Sequence, residues 1–232
     1  MSMASVALLE RPVMAAREAA RQLRIPPSTL IHWLEGGTRG GTWYDPVLRD
    51  EPSGSLDITW GEMVEAQYLR AYRDVRMPMQ RLRPFIAALR TEFDIPYPLA
   101  HFRPFIDQSR TRRLIVQLQE SSDLPEELWL LYEFKSHQYM INAYLQRDFL
   151  DRIEFDAAGD QPATRLRPAG KENPVVMDPL VSSAAATVKG IRTEILAEQA
   201  IAGTAIDEIA DDFDLSVDYV KAALAHEFRT AA

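Results

Sequence analysis

The amino-acid sequence predicts a mainly α-helical protein with small β-hairpins, with a winged helix-turn-helix at the N-terminus and a three-helix, helix-turn-helix-like domain at the C-terminus. Two observations support this fold class. Apolar residues recur at three- and four-residue intervals in several segments, which is typical of amphipathic helices. In addition, one apolar pattern near the N-terminus occurs again near the C-terminus, and such internal similarity indicates a repeated structural unit.

The length and composition are those of a globular protein with more than one compact unit. The chain has 232 residues, of which 47% are apolar and 26% charged, and these values are ordinary for folded domains. We predict a winged helix-turn-helix domain over residues 1–75, a middle region of helices and hairpins over 76–167, and a three-helix domain over 168–232. The segment 168–174, PAGKENP, is the predicted linker.

Cysteine content and charge limit the compartment and the partners. The sequence has no cysteine, which excludes disulfides and thiol chemistry and fits a reducing compartment. Its longest apolar stretches are about half the roughly 20 residues that a membrane helix needs, and we expect neither a signal peptide nor an anchor. We therefore expect a cytoplasmic protein with no membrane partner. Because the net charge is −8, a nucleic-acid site requires a local basic surface.

The N-terminal helix-turn-helix is predicted from two helical segments separated by a proline pair. Residues 16–23 (AREAARQL) and 28–35 (STLIHWLE) both favour helix, and the prolines between them forbid one continuous helix. Pro27 suits the first turn of the second helix. A Gly-Gly pair beginning at Gly36 ends that helix, and GGTRGGTWYDP leaves room for a small wing.

Further helices and strands are predicted in the middle of the chain. Thr59 and Glu62 have capping-box spacing, which predicts a helix start. Additional helices are expected over 78–93 and 126–150. The strand predictions are two short strands within 102–118, with Pro104 on an edge strand, a hairpin of 152–156 with 163–167, and a strand at 175–177.

The last sixty residues are predicted to become helical after the strand at 175–177 and to form three short helices with tight turns. They are Thr193–Ile201, Thr204–Phe213 and Ser216–Arg229. Thr204 and Ser216 are the expected N-caps of the second and third helices, because their hydroxyls can accept the free backbone N–H groups.

Seven small or apolar positions of the first helix-turn-helix recur 190 residues later. In order they are Ala16, Ala19, Ala20, Leu23, Ile25, Leu30 and Leu34, which align with Ile206, Ile209, Ala210, Phe213, Leu215, Val220 and Leu224. A helix-turn-helix needs small residues where its helices cross, an apolar residue in the turn and spaced anchors on the second helix. The same pattern also packs three helices with no nucleic acid involved, and that alternative stays open for both copies.

The two copies differ in charge, which predicts different partners. The predicted DNA-binding residues of the first copy and its wing are Arg17, Arg21, Arg24, Pro27, Ser28, Thr29, His32 and Arg39. The second copy is acidic, with Asp207, Glu208, Asp211, Asp212, Asp214 and Asp218 against Lys221. A phosphate backbone would repel it, so we expect the second copy to bind protein.

These segments resemble known families. AREAARQLRIPPSTLIHWL resembles the opening of MerR-type winged helices, and VKGIRT followed by AIDEIADDFDLSVDYVKAAL resembles the domain of unknown function 433. The two in this order, with a helical and hairpin middle, are similar to long VapB-type antitoxins. Two positions depart from the MerR pattern, since Ile31 stands where an Arg commonly follows the Thr-Leu pair and Pro26 stands where a Ser or Thr cap is usual.

The resemblance implies a type II toxin–antitoxin role. Such an antitoxin binds a VapC-type toxin, which is a PIN-domain endoribonuclease, occludes its metal-dependent site and represses the shared operon. The implied toxin-binding residues are Asp211, Asp212, Asp214, Asp218, Lys221 and Arg229. Arg229 is alternatively a helix-end cation favoured by the helix dipole. Operator DNA is the second implied partner, and a homodimer is expected because paired recognition helices span two half-sites.

The sequence does not predict an enzyme, a cofactor or a metal site. It has no catalytic serine motif, phosphate loop or GxGxxG. Its four histidines, His32, His101, His137 and His226, lie far apart in sequence. The aromatic residues Trp33, Trp43, Tyr44 and Trp60 are expected in the core. The alternative functions are a MerR-like transcription regulator without a toxin partner and a structural adaptor.

Overall fold

A computed structural model describes residues 7–74, 76–101, 104–106, 114–117, 130–133, 138–141, 152–155 and 162–230. Its helices are α1 Ala16–Leu23, α2 Pro27–Glu35, α3 Trp60–Asp74, α4 Met79–Phe93, α5 Pro98–His101, α6 Thr193–Ile201, α7 Ile206–Asp212 and α8 Val217–Thr230. None of these described helices is both long enough and apolar enough to cross a membrane.

The strands form small antiparallel sheets. In chain order they are β1 Pro12–Ala15, β2 Gly37–Arg39, β3 Thr42–Tyr44, β4 Asp57–Thr59, β5 Pro104–Ile106, β6 Leu114–Gln117, β7 Leu130–Glu133, β8 Gln138–Ile141, β9 Ile153–Phe155, β10 Ala163–Leu166, β11 Val176–Asp178, β12 Val181–Val188 and β13 Ile191–Arg192. The sheet orders are β1-β4, β2-β3, β5-β6-β7-β8 and β13-β12-β11-β10-β9. The predicted combination of helices with small antiparallel hairpins is confirmed.

Several local predictions are confirmed. The Thr59 N–H donates to Glu62 Oε2 at 2.8 Å, and the Glu62 N–H donates to Thr59 Oγ1 at 3.3 Å, so the capping box forms at the start of α3. Ser216 caps α8, because the Tyr219 N–H donates to Ser216 Oγ at 3.4 Å. Strands β5 and β6 pair as predicted, with Pro104 on an edge strand of its sheet.

The helix predicted over 126–150 is wrong, because β7 and β8 pair inside that range. Their register joins Leu130 to Ile141 and Tyr132 to Tyr139. Short apolar runs rich in aromatic and aliphatic residues fit both the helical and the strand period, and here cross-strand pairing with β6 decides between them.

Two predictions about the C-terminal segment are also corrected. The chain between 178 and 193 is not helical, since β12 and β13 occupy it and form a hairpin with Thr187 opposite Arg192. Thr204 is not the N-cap of α7, which follows Ala205; within the described residues, no side chain caps this helix end. The Thr204 hydroxyl instead lies 3.4 Å from Gln199 Oε1.

The five-stranded sheet extends across the boundary that the sequence places at 167/168. The predicted β9–β10 hairpin forms, and β10 also pairs with β11 through Leu166 and Met177. The segment 168–174 therefore turns back between two neighbouring strands of one sheet. The Trp60 indole N–H donates to the Ala163 carbonyl at 2.8 Å, which attaches α3 to this sheet. The three domain boundaries remain predictions.

Candidate functional site

The two predicted helix-turn-helix copies share their turn geometry at the same offset of 190 residues. Arg24, after α1, and Asp214, after α7, both take left-handed conformations, with φ of 54° and 50°. The turn hydrogen bonds correspond as well: Ile25 N–H to Ala20 O at 2.8 Å matches Leu215 N–H to Ala210 O at 2.9 Å, and Arg24 N–H to Arg21 O at 3.1 Å matches Asp214 N–H to Asp211 O at 3.3 Å. The repeat in sequence is thus a repeat in backbone structure.

The predicted anchors are inside the protein. All seven positions of the first copy are buried. In the second copy Ile209, Ala210, Val220 and Leu224 are buried, and the other three pack partly buried against the core. The first copy is therefore the more completely covered unit, while the second copy leaves more of its surface in solvent.

The structure divides the predicted DNA-binding residues between two environments. Arg17, Pro27, Ser28 and Arg39 are exposed, and Thr29, His32, Arg21 and Arg24 are partly buried. Arg21 is engaged within the chain, since its guanidinium contacts Glu18 at 2.6 Å and Glu227 at 2.8 Å. The hydrogen bond that Arg21 donates to the Glu18 carboxylate is the largest influence that raises the pKa of Arg21 above its ordinary value. Arg21 is therefore a structural residue of the junction with α8.

A basic and aromatic surface lies beside α2, on the β2–β3 hairpin. The His32 and Tyr44 rings meet edge to face with centroids 6.2 Å apart, and the Arg83 guanidinium lies 5.8 Å from the centre of the Tyr44 ring. Burial lowers the pKa of His32, and the nearby positive charges of Arg39 and Arg83 lower it further. Arg83 comes from α4, so periodicity around α1 and α2 gave no signal for it.

The aromatic residues expected in the core separate into two pairs. Trp33 and Trp60 are buried, as predicted, but Trp43 is 56% exposed and Tyr44 is 38% exposed. The Trp43 indole N–H donates to Asp45 Oδ1 at 2.9 Å. Within the part of the chain that the structure describes, β2 and β3 pair only with each other. Such a two-stranded hairpin leaves these side chains in solvent, and this is the physical reason that the prediction is wrong for them.

Arg49 connects the end of α2 to the start of α3. Its side chain is 9% exposed and forms ion pairs with Glu35, the last residue of α2, and with Glu62 of the capping box. The Nε–Glu62 Oε1 distance is 2.6 Å. Sequence periodicity gave no indication of this cluster, because its members belong to a helix end, a loop and the next helix.

The predicted toxin-binding residues form an exposed acidic surface. Asp211, Asp212, Asp214, Asp218 and Lys221 are all exposed on or beside α7 and α8, and the side chain of Arg229 lies outside the described residues. Lys189 lies 5.4 Å from the centre of the Tyr219 ring on the same unit. Within the described ranges, no group of three His, Asp or Glu side chains is placed to hold a metal ion.

The two copies meet through a buried polar junction between α1 and α8. Glu227, 6% exposed, accepts a hydrogen bond from Thr193 Oγ1 at 2.5 Å in addition to its ion pair with Arg21. His226 Nε2 lies 3.0 Å from Gln22 Oε1. Burial lowers the pKa of His226 to about 4, so this imidazole is neutral at physiological pH and the junction does not need its charged form.

The same overall fold occurs in a solved structure. The chain is similar to the crystal structure of Rv2018 from Mycobacterium tuberculosis, with a TM-score of 0.58 and 22% sequence identity, over 92% of this chain and 97% of that chain. At this level of identity the likeness shows a shared fold.

The chain is also similar in sequence to two proteins. The chain is 27% identical over 226 residues, 92% of each protein, to the protein of Mycobacterium tuberculosis named "Putative antitoxin VapB45". It is 37% identical over 92 residues to the uncharacterized protein Rv2308 of the same organism, a match that covers 39% of each chain. No protein-family model matches the sequence.

Proposed function

We propose that this protein is the antitoxin of a type II toxin–antitoxin pair, a binding protein with no catalytic role. The observation that carries the proposal is the similarity to a protein named as an antitoxin over 92% of both chains. In this proposal the chain binds and neutralises a VapC-type PIN-domain endoribonuclease and represses its own operon by binding operator DNA as a homodimer.

The acidic copy is the proposed toxin-binding surface. Five charged residues of this surface, Asp211, Asp212, Asp214, Asp218 and Lys221, are exposed on the second copy. An endoribonuclease binds a polyanion, so its substrate surface is expected to be basic. An acidic surface complementary to it speeds association and competes directly with RNA. Arg229, next along α8, is proposed to reach the acidic metal-binding site of the toxin.

The basic copy is the proposed DNA-binding unit, with the β2–β3 hairpin as its wing. Ser28, Thr29 and His32 lie on α2, the proposed recognition helix, where short polar side chains can reach base edges. Arg17 and Arg39 are exposed on either side of it and are proposed to contact phosphates. Arg21 contributes to this unit because its ion pair with Glu227 holds α1 against α8. Arg24 contributes because its left-handed conformation ends α1.

Co-expression tests toxin binding. The chain is produced together with the product of the adjacent open reading frame, and copurification and relief of growth arrest are measured. Replacing Asp211, Asp212, Asp214 and Asp218 by Asn should weaken copurification, because it removes four charges from an exposed surface. The matched control neutralises the exposed Glu51 and Glu172 elsewhere. If the wild-type chain neither copurifies nor relieves toxicity, the antitoxin proposal is wrong.

A gel shift tests DNA binding. A duplex from the region upstream of the gene is titrated with protein at two salt concentrations. Arg17→Ala and Arg39→Ala should each weaken binding and each reduce the salt dependence by about one counterion-release unit. The control is Arg165→Ala, on strand β10. Unchanged binding and salt dependence in both variants would remove these arginines from the interface.

A MerR-like transcription regulator without a toxin partner remains the second candidate. The observation in its favour is the basic and aromatic surface of His32, Arg39, Tyr44 and Arg83, which is independent of the acidic copy. Sequence-specific DNA binding together with the lack of any interaction with the neighbouring gene product supports this function. If neither DNA nor a nuclease binds, a structural adaptor is favoured.

A further inference from the structure

One arginine, Arg49, links the C-terminal end of α2 to the start of α3. Glu35 is the last residue of α2, and the chain turns at Gly36 into the β2–β3 hairpin. Arg49 lies on the far side of that hairpin in sequence, yet its Nη1 group forms a hydrogen bond and ion pair with Glu35 Oε1. A shift of the end of α2 relative to α3 therefore has to break one of the two ion pairs of Arg49, with Glu35 or with Glu62.

The guanidinium uses its donors on three separate segments. Nε and Nη2 bind the two carboxylate oxygens of Glu62 at 2.6 and 3.4 Å. Nη2 also donates to the Asp57 carbonyl at 2.8 Å, and Nη1 donates to the Ser55 carbonyl at 3.3 Å. Such a fan of donors in one plane is specific to arginine, since a lysine ammonium is a point charge that cannot span these acceptors.

The acceptors of Arg49 are themselves fixed. Glu35 Oε2 accepts the Gly54 N–H at 2.8 Å, and Glu62 Oε2 accepts the Thr59 N–H as part of the capping box. Two residues before Arg49, the Val47 N–H donates to the Trp33 carbonyl of α2 at 2.8 Å, and the Leu48 N–H donates to the same carbonyl at 3.0 Å. The chain that carries Arg49 is thus anchored to α2 by backbone hydrogen bonds that do not involve the guanidinium.

The electrostatics favour a charged, fully paired cluster. Burial on its own lowers the pKa of Arg49, but Glu62 and Glu35 outweigh it and raise that pKa above its ordinary value. A guanidinium that is 9% exposed between two carboxylates is costly to disturb, because removing one partner leaves a desolvated charge.

We propose that Arg49 is a positioning residue for DNA binding, which sets the orientation of α2 and the β2–β3 hairpin relative to α3. This inference rests on the proposed DNA-binding function. Arg49 does not touch DNA; it acts through Glu35. Sites that read a duplex need several side chains placed together, so a small rotation of α2 weakens all its contacts at once.

The test separates positioning from stability. Binding to a fluorescently labelled duplex from the upstream region is measured by anisotropy for Arg49→Lys, Glu35→Gln and Glu62→Gln, and the melting temperature of each variant is measured in parallel. The control is Arg165→Lys on β10, because Arg165 also forms an ion pair, with Asp178, but does not contact the Arg49 cluster.

Arg49→Lys and Glu35→Gln should lose affinity roughly tenfold or more, while Glu62→Gln, which neutralises the more deeply buried of the two carboxylates that pair with Arg49, should lose the most stability. The control should change neither quantity. A purely structural role instead predicts that affinity falls in proportion to melting temperature in all three variants, and that result overturns the inference. Unchanged affinity in Arg49→Lys and Glu35→Gln also overturns it. If the wild-type chain does not bind the duplex, the DNA-binding part of the proposed function fails as well.

Discussion

Gly36 provides the sharpest test of how the hairpin is joined to α2. Its backbone has φ 71° and ψ −160°, a region that only glycine enters readily. A Cβ atom at this position would lie 2.5 Å from the Tyr44 carbonyl oxygen and 3.1 Å from Pro46 Cδ. Gly36→Ala therefore forces either the backbone of α2 or the hairpin strand to move.

The expected cost has two parts. The backbone conformation contributes about 1–3 kcal/mol, and the overlap with Tyr44 and Pro46 contributes about 1–3 kcal/mol more, as in other overpacked sites. Gly40 is the matched control, because its φ is 58° and a Cβ there meets nothing within 4 Å. Gly40→Ala should cost about 1–2 kcal/mol from the left-handed conformation alone.

Urea unfolding followed by circular dichroism measures both variants, with melting temperature as a second reading. For a chain of this size, each kcal/mol corresponds to a shift of about 2–4 °C. Gly36→Ala should lower the free energy of unfolding by about 4 kcal/mol and Gly40→Ala by about 1–2 kcal/mol. Equal losses in the two variants would refute the reasoning, since the contact with Tyr44 would then contribute nothing.

Three further predictions concern buried groups, all read from urea unfolding. Burial raises the pKa of Glu65 to about 7, despite its 3.0 Å contact with Arg90. The protonated carboxyl therefore stabilises the fold at low pH, and this contribution, up to about 3 kcal/mol, is lost as the pH rises from about 5 to 8. Glu65→Gln should flatten the dependence of the unfolding free energy on pH, and parallel pH curves for the variant and the wild type would contradict this. Arg21→Ala and Glu227→Gln should be coupled by about 1–3 kcal/mol in a double-mutant cycle, whereas additive losses would show that the ion pair does not form in solution. Leu30 is fully buried on α2. Leu30→Ala should lower the free energy of unfolding by about 2–5 kcal/mol and Leu30→Met by less than about 1.5 kcal/mol, and similar losses in the two variants would place Leu30 outside the core.

The charge difference between the copies is the feature that links fold and function. Both copies have the same turn hydrogen bonds, and at the equivalent position after the first helix each has a residue in the left-handed conformation, Arg24 in one and Asp214 in the other. One copy presents exposed arginines beside α2, and the other presents exposed aspartates on α7 and α8. The two copies thus share their backbone geometry but carry opposite surface charge. This difference supports the proposal of a nucleic-acid partner for the first copy and a protein partner for the second.

Much of the two repeated helix pairs was predictable because their signals are local. The positions of the anchors, the proline-separated helices and the capping box of Thr59 and Glu62 depend on residues within one or two helical turns. The strands β7 and β8 were not predictable in the same way, because their apolar runs fit both periods. Pairing with β6, a contact between distant parts of the sequence, settles their structure.

The sequence by itself determined the helix periods, the turns and the charge of each copy, since these follow from neighbouring residues. Only the tertiary structure decided which charges remain on the surface. Arg21 pairs with Glu227, which is 206 positions away in the chain, and Arg49 joins Glu35 to Glu62 across a loop. Trp43 remains exposed on a hairpin whose two strands, among the described residues, pair only with each other. Ion pairs and burial of this kind depend on where folding brings distant segments, and no local pattern encodes that.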